Sequence, residues 1–210
     1  MNVHDHAGVQ AFLDDLALSL DPARFTPRYN LAPSDPVHAL FAGDGLEIAE
    51  MRWGLTPRNP KQRNLLINAR AETAWRLPSF RESMRRRRAV VPVNGFYEWR
   101  REGDERLPFY ITGRQPVLAL AGLFDVDAQG EMRCCVLTTA ANAEMHRIHD
   151  RMPVCLPHDR VREWLSDGDP AALDKLIARA RHQALHQTRV SKFVNSSRND
   201  GPECMLAVAA

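Results

Sequence analysis
The 210-residue sequence contains no apolar run approaching the roughly 18 to 20 residues a membrane helix requires, so no helical membrane span is expected. Its opening, Met1-Asn2-Val3-His4-Asp5-His6, lacks the basic start and apolar stretch of a secretion signal. Both absences predict a cytoplasmic protein. Cysteine is scarce: Cys134, Cys135, Cys155 and Cys204 are the four present, and no Cys-x-x-Cys pair occurs. A zinc site built on paired thiolates is therefore not expected, and a reducing compartment with buried, inert thiols is. His4 and His6 in a terminal segment make a poor metal site, so no metal and no cofactor is expected. There is no Gly-rich phosphate loop, no internal repeat, no low-complexity tract and no evident linker, and residues 1–210 are read as one domain.

What is present is ordinary in bulk and uneven in detail. Apolar residues make up 44% and charged residues 26%, as in globular proteins, and the length suffices for a large core without staples. Net charge is only +2, yet residues 52–106 hold fourteen Arg or Lys against six Asp or Glu, a local surplus of +8, while the remainder carries −6. Such asymmetry points to a basic surface facing a polyanion.

Val9, Phe12, Leu13, Leu16 and Leu20 fall on one stripe of a helix that Asp21-Pro22 ends. Val37 to Phe41 and Leu46 to Trp53 read as strands around a turn at Gly43-Asp44-Gly45. The polar loop 54–64 is either solvated or a cover for a cleft. Leu65 to Ile67 reads as a buried strand ending at Asn68, Arg70 and Glu72. A helix over 78–87 carries the Arg85-Arg86-Arg87-Arg88 run, a solvated helix end or an electrostatic footprint for phosphates. Strands follow at 89–93, 96–100, 108–111, 117–123 and 132–137. Thr138-Thr139 opens a helix from Ala140 to about Ile148, capped by Thr139 or Asn142 and stopped by Pro153. Helices at 157–165 and 170–181 and a last strand from Gln187 to Val194 complete the chain. Short sequence-adjacent strands with helices at the edges predict an α+β fold, mainly antiparallel sheet curled into a partial barrel with peripheral helices.

The candidate chemistry lies at element ends. Asn68 offers two donors and an acceptor without charge, and Arg70 a rigid fork for carboxylate or phosphate. An ordinary strand end with Arg70 and Glu72 as a surface pair accounts for the same residues. Glu98, flanked by Tyr97 and Trp99, is either partly desolvated, with its pKa raised towards acid/base use, or an edge-strand carboxylate reaching solvent. His149, at the end of the expected helix, is placed to favour imidazolium through the helix dipole, or is structural. Asn68, Arg70, Glu98 and His149 together suit acid/base work on an anionic substrate held by arginines.

Five segments carry a resemblance: Asn30-Leu31-Ala32-Pro33, Trp53-Gly54-Leu55, Ile67-Asn68-Ala69-Arg70-Ala71-Glu72, Gly95-Phe96-Tyr97-Glu98-Trp99 and Ile148-His149-Asp150-Arg151-Met152-Pro153. In this order the set resembles that of the SOS-response-associated peptidase (SRAP) family of abasic-site processing proteins, from about Arg28 to the C-terminus. The resemblance implies a cytoplasmic DNA-damage protein of the SOS response, a monomer that binds single-stranded DNA containing abasic sites and has no membrane partner. It also implies covalent DNA–protein linkage through an N-terminal cysteine, whose amine forms a Schiff base and whose thiol closes a thiazolidine, with hydrolase, protease or lyase chemistry attached. By motif, Asn68 orients the reacting sugar or cysteine, Glu98 moves protons, and His149 stabilises the Schiff-base stage and protonates the leaving sugar oxygen. Arg70 and Arg151 hold flanking phosphates, while Trp99, Thr138 and Pro33 line the DNA path.

The sequence departs from the family at its opening. Position 2 is Asn2, and no cysteine precedes Cys134. Either the recorded start lies a few residues late, or this is a paralogue that binds abasic or single-stranded DNA without crosslinking. A self-processing peptidase is the rival class. On either account the 210-residue chain is not expected to form the thiazolidine.

Overall fold
The computed structural model describes residues 1–59, 61–166 and 168–208. The first helix, α1 (His6–Asp14), buries Val9, Phe12 and Leu13, and Asp5 caps it by accepting the Gly8 N–H at 3.1 Å. It closes earlier than the sequence stripe suggests. Ala17 takes φ +54°, and the N–H groups of Ala17 and Leu18 return to the carbonyls of Asp14 and Leu13, a left-handed closure. Leu16 and Leu20 remain buried from the following turn, which the Gln10 side chain holds through the Leu18 carbonyl and the Leu20 N–H. The stripe encoded burial, and only part of it encoded helix.

Strands β1 (Pro36–Ala42) and β2 (Leu46–Trp53) form the expected hairpin. Strand β3 (Asn68–Arg70) begins where a strand over Leu65–Ile67 was expected to end. Leu66 makes a single bridge to Leu55, whereas Asn68, Ala69 and Arg70 pair in parallel with Val136, Leu137 and Thr138. Alternation buries Ala69 and leaves Asn68 and Arg70 exposed on the other side.

Two short helices follow, α2 (Ala71–Ala74) and α3 (Arg81–Arg86), the second shorter than the expected 78–87. Strand β4 (Arg88–Val93) takes the last arginine of the run into the sheet. Arg88 is 4% exposed, and its guanidinium donates to the carbonyls of Trp164, Met84, Arg85 and Ser166. Arg87 pairs with Asp125. Only Arg85 and Arg86 stay exposed, so a four-arginine phosphate footprint does not form: at the helix-to-strand junction the last two side chains turn into structure.

Strands β5 (Phe96–Glu102), β6 (Glu105–Thr112), β7 (Leu118–Val126) and β8 (Met132–Ala140) come next. The helix expected at Ala140–Ile148 is absent. Thr138, Thr139 and Ala140 continue β8 because they pair with β9 (Arg151–Pro153), and the connection holds one 3-10 turn, Met145–Arg147. The N-cap position of that turn is Glu144, without a side-chain cap bond, and Asn142, expected as a cap, accepts the Met145 N–H at 2.9 Å from outside it. Strand β10 (Cys155–Leu156), α4 (Val161–Leu165), α5 (Pro170–Ala180) and β11 (His186–Arg189) finish the order. Strand β11 stops short of Val194 because Ser191 caps a 3-10 turn over Lys192–Asn195.

Among the described residues the strands form two sheets. The larger runs β10-β7-β4-β1-β2-β8-β3, with β9 on β8 and β7 also pairing β8; the smaller is β11-β6-β5. Strand β8 pairs in parallel with β2 and β3, and the other ladders are antiparallel. This is the mixed α+β architecture the sequence predicts. One face of the large sheet packs Cys135 with Leu13, Met84, Trp164 and Leu173 from the helices. The other packs Cys134 with Phe96, Phe109 and Ile111 from the small sheet. All four thiols are buried, and burial pushes Cys134 and Cys155 up to about 12. Among the described residues no helix is long and apolar enough to cross a membrane.

Candidate functional site
A cavity of about 540 Å³ collects every candidate residue. Asn68 and Arg70 reach it from β3, Glu98 and Trp99 from β5, Thr138 from β8, Arg151 from β9, and Pro33 and His149 from loops. The parallel pairing of β3 on β8 sets Arg70 opposite Thr138, and the β8–β9 return sets Thr138 opposite Pro153, so segments far apart in the chain share one wall. No described residue of the 54–64 loop lines the cavity, and Arg58 reaches Asp125 at 3.2 Å instead; Pro60 lies outside the described residues. A second cavity of about 620 Å³, between α1 and the segment around His158, holds none of the candidate residues.

The loop that carries Pro33 is tied to the tail. Asn30 Nδ2 donates to the carbonyls of Val194, Ser196 and Asn199 at 3.0–3.1 Å, and Asp200 accepts the Tyr29 and Asn30 N–H groups at 2.6 and 2.8 Å. Asp35 accepts the Ala32 N–H and an Arg28 Nη2 bond. Two prolines in four residues keep the segment irregular, and these side chains supply the bonds a regular element would have made.

The sequence pattern does not single out Met1 as a cavity residue, nor Tyr97. The Met1 α-amine is buried in the cavity wall and donates to the Leu31 carbonyl at 2.9 Å. Burial lowers its pKa from 8.0 to about 5, against the opposing pull of the Asp35, Glu98 and Asp200 carboxylates. Asn2 fixes this terminus: its backbone bonds Gly95 and Asn94, its Nδ2 donates to Tyr97 Oη at 3.2 Å, and Tyr97 Oη donates to the Tyr29 carbonyl at 2.8 Å. His4 bonds Asn2 Oδ1 and stacks on Tyr29, while His6 packs edge-on to Phe25. No signal in the composition marks a terminal residue as buried; only the pairing with Gly95 does.

Glu98 is the titratable carboxyl of the cavity. Burial raises its pKa, and the neighbouring His149 and Arg106 pull the other way. His149 does not sit at a helix end, so the helix-dipole argument for its charge falls. Its Nδ1 accepts the Arg151 backbone N–H at 3.0 Å and lies 3.2 Å from Asp150 Oδ1. Accepting that N–H leaves Nε2 to carry the ring proton in the neutral form.

The two site arginines differ. Arg151 forks onto Glu72 with bonds of 2.9 and 2.8 Å and also donates to the Thr138 carbonyl at 2.7 Å. Burial would push Glu72 up, but the Arg151 bonds outweigh it and hold the carboxyl below its usual range. The Arg70–Glu72 surface pair weighed from sequence therefore does not form. Arg70 is exposed at the cavity edge and makes no ion pair among the described residues. Trp99 is held by its Nε1 bond to Asn195 Oδ1 at 2.7 Å, with the Arg106 guanidinium 5.7 Å from its ring centroid.

Such a cavity brings together a neutral amine, a carboxyl of raised pKa, an imidazole and an unpaired arginine. That set can form and hydrolyse a carbon–nitrogen bond on an aldehyde carried by an anion. No cysteine lines it. Among the described residues no three His, Cys, Asp or Glu are grouped to hold a metal.

Comparison with known proteins shows what the chain as a whole is similar to. A family profile described as SOS response associated peptidase (SRAP) matches residues 4–197. The chain is similar to the abasic site processing protein YoaM of Bacillus subtilis, 34% identical over 87% of this chain and 86% of that one. It is also similar to the abasic site processing protein HMCES of Xenopus tropicalis, 33% identical over 90% of this chain and 68% of that one. A crystal structure of a Bacteroides thetaiotaomicron protein shares the fold with a TM-score of 0.80 at 24% identity, over 99% of both chains.

Proposed function
The chain belongs to the SOS response associated peptidase family, and on that premise we propose that it binds abasic sites in single-stranded DNA at this cavity and engages their open-chain aldehyde without closing a thiazolidine. The observation that carries the reading is the convergence of Asn68, Glu98 and His149, from three distant segments, beside a buried neutral amine. An aldehyde exists only on the ring-opened abasic sugar, so intact DNA offers no electrophile. In a polypeptide that starts at Met1, the amine available in the cavity is that of Met1. Its nitrogen attacks the aldehyde carbon, the resulting carbinolamine loses water as a proton is delivered to the leaving hydroxyl, and an imine remains. Glu98 and His149 supply and take up those protons, and Asn68 orients the sugar. Arg70 holds a flanking phosphate, while Arg151, already matched by Glu72, adds a donor edge and fixes the wall. Trp99, Thr138 and Pro33 line the strand's path. Met1 carries no thiol, so an imine on its amine has no partner for ring closure.

The pairing of β7 with both β4 and β8 supports a sheet curled into a partial barrel as the scaffold of this site. The test uses the purified 210-residue protein and single-stranded oligonucleotides with one abasic site or none. The expected result is an adduct seen on denaturing gels only after borohydride reduction, and only with the abasic strand. A heat-stable adduct without reductant would refute the missing ring closure. No preference for the abasic strand in binding or trapping would refute the reading altogether.

A further inference from the structure
The β5–β6 hairpin beyond the cavity has an unusual charge pattern. Its ladder sets Arg101 directly opposite Arg106 and Glu102 directly opposite Glu105. Like charges facing each other across a ladder are destabilising. Swapping one partner of each pair would have given two attractive pairs, so the arrangement is not the one that stabilises the hairpin best.

The two pairs lie on opposite faces, since side chains alternate along a strand. The acidic face is already matched: Glu102 pairs with Arg100, and Glu105 with Lys192 at 2.9 Å. The basic face is not. Arg101 and Arg106 are both exposed, and among the described residues neither makes an ion pair. This basic face is the one that carries Trp99 and Tyr97. Arg106 stands 5.7 Å from the Trp99 ring, and Trp99 lines the cavity. Arg101 lies two residues beyond Trp99, about 6.8 Å further along the strand. The C-terminal tail packs on this face at Tyr97 and Trp99, through Val190, Val194 and Asn195, and Arg101 and Arg106 lie beyond that contact, exposed.

We infer that Arg101 and Arg106 form a phosphate-binding fork for the DNA strand on the Trp99 side of the cavity, extending the site past the lesion along the hairpin. The inference rests on the single-stranded-DNA reading above. The ligand chemistry is the sugar–phosphate backbone, which two unmatched guanidinium groups suit and which carries no base identity. An anion seated between the two arginines relieves their repulsion, so binding and the hairpin's own charge balance improve together.

The competing account is that charged side chains merely blunt an exposed sheet edge. Arg101→Glu separates the two. It keeps a charge on the edge and turns the like pair into an attractive one, so thermal stability is expected to hold or rise. DNA binding is expected to fall. Fluorescence anisotropy with undamaged and abasic single strands across a salt series gives the readout. Removing one phosphate-binding arginine is expected to weaken binding about fivefold at 0.1 M salt and to lower the slope of log K against log salt by about 0.7. The Arg101→Ala/Arg106→Ala double variant is expected to lose about 1.4 in slope, equally for both strands, and Arg101→Lys/Arg106→Lys to regain most of it. If wild type shows a steep slope and the folded variants match it, the fork is refuted while the function stands. If wild type itself binds with no salt dependence, the functional reading falls and the fork with it.

Discussion
The Met1 amine gives the sharpest test of the site. A terminal amine with its ordinary value of 8.0 is about 9% neutral at pH 7, whereas one lowered to about 5 is about 99% neutral. Only the neutral form attacks an aldehyde, so burial raises the reactive fraction about tenfold at pH 7. The perturbation is pH itself. The initial rate of cyanoborohydride trapping of an abasic single strand, followed at fixed saturating DNA, is expected to rise with an acid limb centred near 5 and then stay level through pH 8. Glu98→Gln sharpens the test, because the Glu98 carboxylate is one of the groups that raise the amine. Removing that charge is expected to move the acid limb lower still, while the loss of proton transfer cuts the plateau rate by about 10² to 10⁴. An acid limb near pH 8 in the wild type would refute the buried amine as nucleophile. A limb that moves upward in Glu98→Gln would refute the electrostatic account of it.

Stability should follow pH with a definite sign. The amine's folded value is depressed, so its contribution is fully present above about pH 8 and lost as pH falls towards 5; His4 and His38, both lowered by burial, act the same way below 6.5. Glu98, raised by burial, acts oppositely, its contribution being lost as pH rises through its raised value. In Glu98→Gln, which lacks the opposing carboxyl, urea midpoints are therefore expected to rise from pH 5.5 to 8, and a flat or falling series there would contradict the burial of the amine. Arg88→Met removes four carbonyl bonds from a buried guanidinium and is expected to cost about 3 kcal/mol, seen as a lower melting temperature, with the DNA salt slope unchanged. A reduced slope would return Arg88 to the DNA surface. Glu72→Gln leaves the mostly buried Arg151 without its counter-charge and is expected to cost about 1–2 kcal/mol, between the exposed and buried limits for a broken pair. All four cysteines are expected to resist thiol reagents in the folded protein and to react together on unfolding; rapid labelling of any one would contradict its burial.

Much of this molecule is local and was readable as such. The β1–β2 hairpin around Gly43–Gly45, the alternation that separates Cys134 from Cys135, and the inward stripe of α5 follow from side-chain period and turn chemistry alone. The ordered motifs fixed the family and nominated Asn68, Glu98 and His149. Pairing over long distance decided the rest. Thr138 to Ala140 became strand, not helix, because β9 returned beside them; Asn68 began a strand because β8 offered a parallel edge; Arg88 left the surface because Trp164 and Ser166 presented carbonyls. The partner of Glu72 and the burial of the Met1 amine belong to the same class, since each depends on a residue dozens of positions away. A sequence specifies which groups are available and how each strand or helix alternates. Which of those groups lose water, and which charges meet, is set only when distant segments close on one another.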